Sequence, residues 1–280
     1  MAVPFTAALA NLTCSAASGD LLYMFGTSLR VISSQITIEG SALQTTGFSG
    51  SAQKMQSMIG GLRSATIDFN AIYPKSSPLM GIGGLITHTA TAPARTKSLT
   101  INIEYGEIDI TGMAGTADTY RSFMPGGIGK WGGSFTCRAD SATAAGLPTS
   151  GAATAGTFKL IENGSSDATL AGDIIISRLG LGLDIQNTQQ AVELAYTFEG
   201  SGDLTQSNLG ITAASSSTVG PPDWDLNTNG TADNTIIATL TTGRTITAAA
   251  FWRSLVIETA PGDIVKVSGS LRLTDALTLA

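Results

Sequence analysis

Charge is what this chain has least of: only 13% of its 280 residues are charged, and its fifteen Lys and Arg stand singly. Gripping a nucleic-acid backbone takes clustered cations that displace counterions, so a formal net charge of -6 disfavours DNA binding. It leaves room for a surface that DNA slides past without sticking. Cysteine is nearly missing too. Cys14 and Cys137 lack CxxC spacing, so neither a disulfide framework nor a thiolate metal cluster is expected. His88 is the only histidine, which leaves a histidine zinc site or a Ser-His-Asp triad without partners. No run comes near the roughly 18 apolar residues of a membrane span. The first basic residue is Arg30, so the apolar opening MAVPFTAALANLTC lacks the charged head of an export signal. Synthesis in a cytoplasm is therefore expected. Aromatics are 6%, and Trp131, Trp224 and Trp252 sit in dissimilar contexts, a poor start for a sugar-binding platform.

What the chain does have is apolar residues, 42% of the total, in short runs among Thr and Gly. That composition argues against disorder, and the absence of a Gly period or heptad argues against collagen or coiled coil. A mainly β chain, with much of its surface buried against partners, is expected.

The sequence also repeats. Ile36, Ile38, Glu39, Thr46, Gly47, Gly50, Ala52 and Ser57 fall on Ile101, Ile103, Glu104, Thr111, Gly112, Gly115, Ala117 and Ser122, a shift of about 65. One residue later Gly60, Gly61 and Phe69 match Gly126, Gly127 and Phe135. Each copy opens with a strand of alternating apolar residues. Ala52, Met55 and Met58/Ile59, then Ala117, Tyr120 and Phe123/Met124, recur at helical spacing and end at a Gly pair, which predicts a short helix in each copy. Strands then follow at 65–71 and 133–138.

A second repeat lies toward the C-terminus, where 192–204 parallels 265–277. Each run is preceded by another strand, 172–185 or 251–259, and each pair reads as a hairpin. Two arrangements fit this order. The nested one places a complete domain, 97–204, inside a second domain made of 1–96 and 220–280, with 205–219 as linker. The tandem one closes the first domain with Leu85 to Thr91. Nesting is favoured. Ala142 to Gly156 and Gln206 to Pro222 read as loops or linkers.

Chemical motifs are incomplete. Gly126-Gly127-Ile128-Gly129-Lys130-Trp131 lacks the first glycine and the Ser/Thr of a phosphate loop, and its helix precedes the glycines. Asp225 to Asp233 resembles the opening of a calcium loop, but Ile236 stands where a bidentate carboxylate belongs. A polar turn is the simpler reading. The densest acidic cluster is Glu104, Glu107 and Asp109, divided on a strand reading between two faces. No catalytic residue, cofactor or metal is expected.

The stretch Ile108-Asp109-Ile110-Thr111-Gly112-Met113, then Phe123-Met124-Pro125-Gly126-Gly127, then Gly132-Gly133-Ser134-Phe135, resembles the tail tube proteins of long-tailed bacteriophages. The run 192–204 is similar to that family's terminal hairpin strand. The first copy departs from the pattern, with Gly60 for the proline and Ile67-Asp68 for the Gly-Ser.

The resemblance implies two tube-type β-sandwich or barrel domains, each flanked by one short helix, and no enzymatic activity. It implies a homotrimeric, pseudo-hexameric ring, stacked with others into a conduit for genome delivery in the virion tail. Its partners would be copies of itself, the tape-measure, baseplate or tip and terminator proteins, and DNA in passage. Glu104, Glu107 and Asp109 are then candidates to face the lumen, where three chains would bring roughly -18 in formal charge. Other readings are a related injection-apparatus component, a carbohydrate- or surface-binding β module, and a secreted hydrolase.

Overall fold

The computed structural model describes residues 11–14, 23–24, 27–28, 30–44, 58–72, 86–88, 96–111, 120–125, 129–138, 151–161, 168–182, 192–207, 234–241, 244–260 and 263–280. The first strands are β1 (Asn11–Cys14), β2 (Tyr23–Met24), β3 (Thr27–Ser28), β4 (Arg30–Gln44), β5 (Met58–Ile72) and β6 (Ile86–His88). Next come β7 (Thr96–Glu104), β8 (Glu107–Asp109), β9 (Phe123–Pro125), β10 (Lys130–Arg138) and β11 (Thr154–Ile161). The last are β12 (Ala168–Gly182), β13 (Glu193–Ser207), β14 (Asn234–Thr241), β15 (Arg244–Thr259) and β16 (Lys266–Leu279). Twelve of them form one antiparallel sheet in the order β4-β5-β16-β15-β7-β10-β13-β12-β11-β6, with β14 on β15 and β1 on β14. The protein is mainly β, as its composition predicts.

Alternation decides which face is which. Leu99, Ile101 and Ile103 of β7, Ile67 and Phe69 of β5, and Leu194 and Phe198 of β13 point into one continuous core. Asn102, Glu104, Asp68, Asn70 and Glu199 point the other way, to solvent. The two predicted hairpins form, with Ile176 opposite Phe198 and Trp252 opposite Leu271.

The hydrogen-bond schedule is written twice. Phe135 pairs with Leu99 and Tyr196 in β7-β10-β13, and Phe69 pairs with Ser34 and Gly269 in β4-β5-β16. Ladder irregularities recur as well. β12 slips against β13 between Ala171/Asp173 and Ile176/Arg178, and β15 slips against β16 between Thr247/Ala249 and Trp252/Ser254. β11 slips at Lys159/Ile161 and β14 at Thr239/Thr241. Pairing skips Lys97 in β7 and Ile32 in β4. Bulges re-aim a strand at defined points, so matched bulges make the two strand sets bend alike. One set is β4, β5, β16, β15, β14 and β1; the other is β7, β10, β13, β12, β11 and β6.

Large side chains break the match. Trp131 in β10 stands where β5 has Ala65, and its ring occupies the space where a Cβ on Gly172 or Gly200 would lie. The positions of those glycines in the first set hold Ala248 and Leu273, both buried. Trp131 Nε1 donates to the Gly202 carbonyl at 2.9 Å, and Gly202 has φ of 72°, a conformation only glycine takes without strain. In the first set the bulk comes from β15 instead: Trp252, fully buried, meets Phe69 edge-on, and its counterpart in β12 is Ile176. The large ring thus comes from β10 in one set and from β15 in the other, with smaller residues at the matching positions.

The expected helices are corrected where the structure describes them. Met58 and Ile59 open β5, opposite Gln44 and Leu43, so Gly60 and Gly61 lie within a strand instead of ending a helix. Phe123–Pro125 is β9, paired with β8, and Tyr120 makes an isolated bridge to Arg63. Among the described residues there is no helix; the remainder of both stretches lies outside them. The physical reason in the second copy is tertiary: the Thr274 hydroxyl takes the Phe123 N–H at 2.8 Å and returns a bond to its carbonyl at 2.9 Å. Backbone groups satisfied that way gain nothing from a helical turn.

β1, β2 and β3 escaped the sequence reading, and so did β11 and β14. β11 begins inside the small-residue stretch ending at Gly156, and β14 covers 234–241. The segment assigned to close a tandem first domain contains β6, which pairs with β11: Ile86 opposite Phe158, His88 opposite Gly156. β13 extends to Ser207, into the expected linker.

Candidate functional site

The three acidic residues singled out above are each engaged. Glu104 ends β7 on the polar face and lies 3.0 Å from Lys130 on the next strand. Glu107 leaves the sheet with β8 and accepts two bonds from Arg272, 2.9 Å from Nε and 2.6 Å from Nη2. The Arg272 guanidinium is 12% exposed and stacks 4.4 Å from the Phe123 ring centroid. A planar fork against a carboxylate is the strongest form of such a pair. The Arg272 hydrogen bond, outweighing partial burial, holds the Glu107 carboxyl below the usual range. Asp109 accepts the Thr111 N–H at 2.9 Å, while Thr111 Oγ1 accepts the Ser122 N–H at 3.0 Å. The Asp-X-Thr motif is thus a side-chain turn that fastens the end of β8 to Ser122, the residue before β9. Thr111 bonding, with Arg121 adding to it, lowers the Asp109 carboxyl. Glu104 is on the sheet face; Glu107 and Asp109 serve a flap docked on β16.

The other candidates yield no chemistry. Cys137 is buried, which pushes its thiol up to about 11 and keeps it unreactive. His88 and Cys14 are strand residues in β6 and β1. Among the described residues no three His, Cys, Asp or Glu side chains gather as metal ligands. The Asp225 to Asp233 loop lies outside them. Two shallow grooves of about 430 and 670 Å³ run along the polar face; Asp68 borders the smaller, and Glu104, Lys130 and Glu199 border the larger.

The sheet edges are the distinctive geometry. β15 is long enough to hold two neighbours on one side: β14 along its first half, and β7 from Ser254 to Thr259. That second ladder joins the two strand sets. It pairs Ser254 with Glu104, Leu255 with Ile103, Val256 with Asn102 and Ile257 with Ile101. Leu255, Ile257 and Ile101 are fully buried there and Ile103 is 5% exposed. Tyr105 N–H adds one more bond, 3.0 Å to the Arg253 carbonyl.

Among the described residues, the matching stretches of edge, on β12 and β4, have no strand paired along them. β12 has β11 along its first half, up to Ile174 opposite Thr154; among the described residues nothing pairs with it beyond that point on that side. Among the described residues the far edge of β4 carries no ladder either, although β1 lies beside it. The place of these edges is not legible in the sequence, because it depends on β11 stopping halfway along β12. Compared with known proteins, the chain matches no family model and no curated protein.

Proposed function

We propose that this chain is a non-enzymatic structural subunit that polymerises into stacked rings, forming the tail tube of a long-tailed phage and a conduit for its genome. In this reading the two strand sets are two tube-type domains, one nested in the other. The inserted domain begins near β6, somewhat before residue 97, and the outer domain is completed by β14 to β16. Three chains then make a ring with six similar joints, three of them inside the chains. The resemblance carried by Asp109-Ile110-Thr111, Phe123 to Gly127 and Gly133-Ser134-Phe135 supports the family.

One structural observation carries the assembly: a head-to-tail joint closed once within the chain, with the same two edges left open at its ends. Head-to-tail contacts give rings when their repeated rotation closes, and closure removes edges that otherwise invite uncontrolled pairing. The polar face, with Glu104, would line the channel, and passing DNA, the tape-measure, the tip or baseplate and the terminator would be the partners. Negative-stain electron microscopy of the purified chain at rising concentration should show rings or hollow tubes. A species that stays monomeric at high concentration overturns the reading.

A further inference from the structure

The geometry points to the partner of each open edge and to its register: β12 of one chain pairs antiparallel with β4 of a second copy, with Arg178 opposite the copy's Glu39. This deepens the assembly reading above and rests on it, but needs neither a virion nor DNA.

The register follows from the joint already closed in the molecule. Matched slips put Arg178 of β12 at the place of Ser254 in β15, and Leu179, Gly180 and Leu181 at the places of Leu255, Val256 and Ile257. The sequence repeat and the shared skip at Ile32 and Lys97 put Glu39, Ile38, Thr37 and Ile36 at the places of Glu104, Ile103, Asn102 and Ile101. Transferring the internal ladder therefore sets Leu179 against Ile38 and Leu181 against Ile36. The same transfer aligns the Gly40 N–H with the Ser177 carbonyl, as Tyr105 meets Arg253.

Two observations outside the ladder agree with this partner. The first is exposure. Ile38 is 49% exposed and Leu181 is 61% exposed, whereas their counterparts Ile103 and Ile257 are 5% and 0%. Large apolar groups left in water on both borders, at the positions the internal joint covers, call for cover of the same shape. The second is charge. Arg178 and Glu39 are both exposed, and among the described residues neither has an ion-pair partner. The transferred register places these opposite charges face to face, whereas a slip of one residue would turn every apolar side chain outward.

Charge reversal tests the pairing without touching the core. Arg178→Glu and Glu39→Arg should each raise the concentration needed for assembly about tenfold, since each sets like charges opposite across the joint. The double variant should return it to the wild-type value. Independently, Ile36→Cys combined with Leu181→Cys should give disulfide-linked chains on mild oxidation, which neither single variant gives. If the wild-type chain assembles but neither reversal shifts the threshold and the cysteine pair does not link, this joint is wrong while polymerisation stands. A wild-type chain that never associates overturns both.

Discussion

Leu255 and Ile257 in the middle of the sheet hold the same places in the pairing schedule as Leu179 and Leu181 at its end, yet the first two are fully buried and Leu181 is 61% exposed. Ile103, 5% exposed, differs from Ile38, 49% exposed, in the same way. The side chains are nearly alike; what differs is whether a neighbouring strand lies beside them among the described residues. Apolar content in a strand therefore does not report on the stability of the lone molecule, only on what the edge is made to meet.

The sharpest way to break the comparison is truncation at both places. Ile257→Ala should lower the unfolding free energy of the isolated chain by about 2–4 kcal/mol, from lost transfer energy and the cavity left behind. Leu181→Ala should cost about 0.5 kcal/mol or less, measured by urea denaturation at a concentration where the chain is monomeric. Equal losses would mean that the end of the sheet is already covered.

A second prediction contrasts the two cores. Gly200→Val should displace the Trp131 ring and destabilise by about 1–3 kcal/mol, with a red shift in tryptophan emission. Overpacking, not lost burial, is the cause.

The flap gives a smaller effect with a pH signature. Arg272→Met removes the fork that holds Glu107 and should cost on the order of 1 kcal/mol at neutral pH, allowing for a carboxylate that is 27% exposed. Because the Glu107 carboxyl is lowered in the folded state, its contribution is complete above the ordinary glutamate value of about 4.3 and is lost as pH falls through the folded value. The wild-type advantage over the variant should therefore shrink in acid, as followed by thermal melting. Least affected should be Lys130→Ala, which releases an exposed pair with Glu104 and should change stability by about 0.5 kcal/mol or less.

Much of this architecture is legible in the order of residues. Alternation in 99–103 and 192–198 marks strands with one wet face, and the internal repeats foretell matched pairings. The helical spacing misled at its C-terminal ends, because Met58 has Gln44 waiting across a ladder and Phe123 lies in β9. In the second copy Thr274, 151 residues downstream of Phe123, decides the outcome, and no local pattern announces so distant a hydroxyl. β11 was hidden because Thr154-Ala155-Gly156-Thr157 has turn-like composition, although Phe158 anchors it fully buried. Of the acidic residues, density in sequence showed the cluster. It did not show that Arg272, 165 residues from Glu107, occupies one of them, nor that Thr111 turns back onto Asp109 only two residues away.

Two nearly identical pairing schedules on one polypeptide invite mistakes during folding, because β10 could settle beside β16 as readily as beside β13. The tryptophans forbid that exchange. Trp131 needs the vacant space above Gly172 and Gly200, and beside β15 and β16 it would collide with Ala248 and Leu273. The uneven placement of two indoles thus acts as a key that lets each strand tell its own neighbours from their look-alikes.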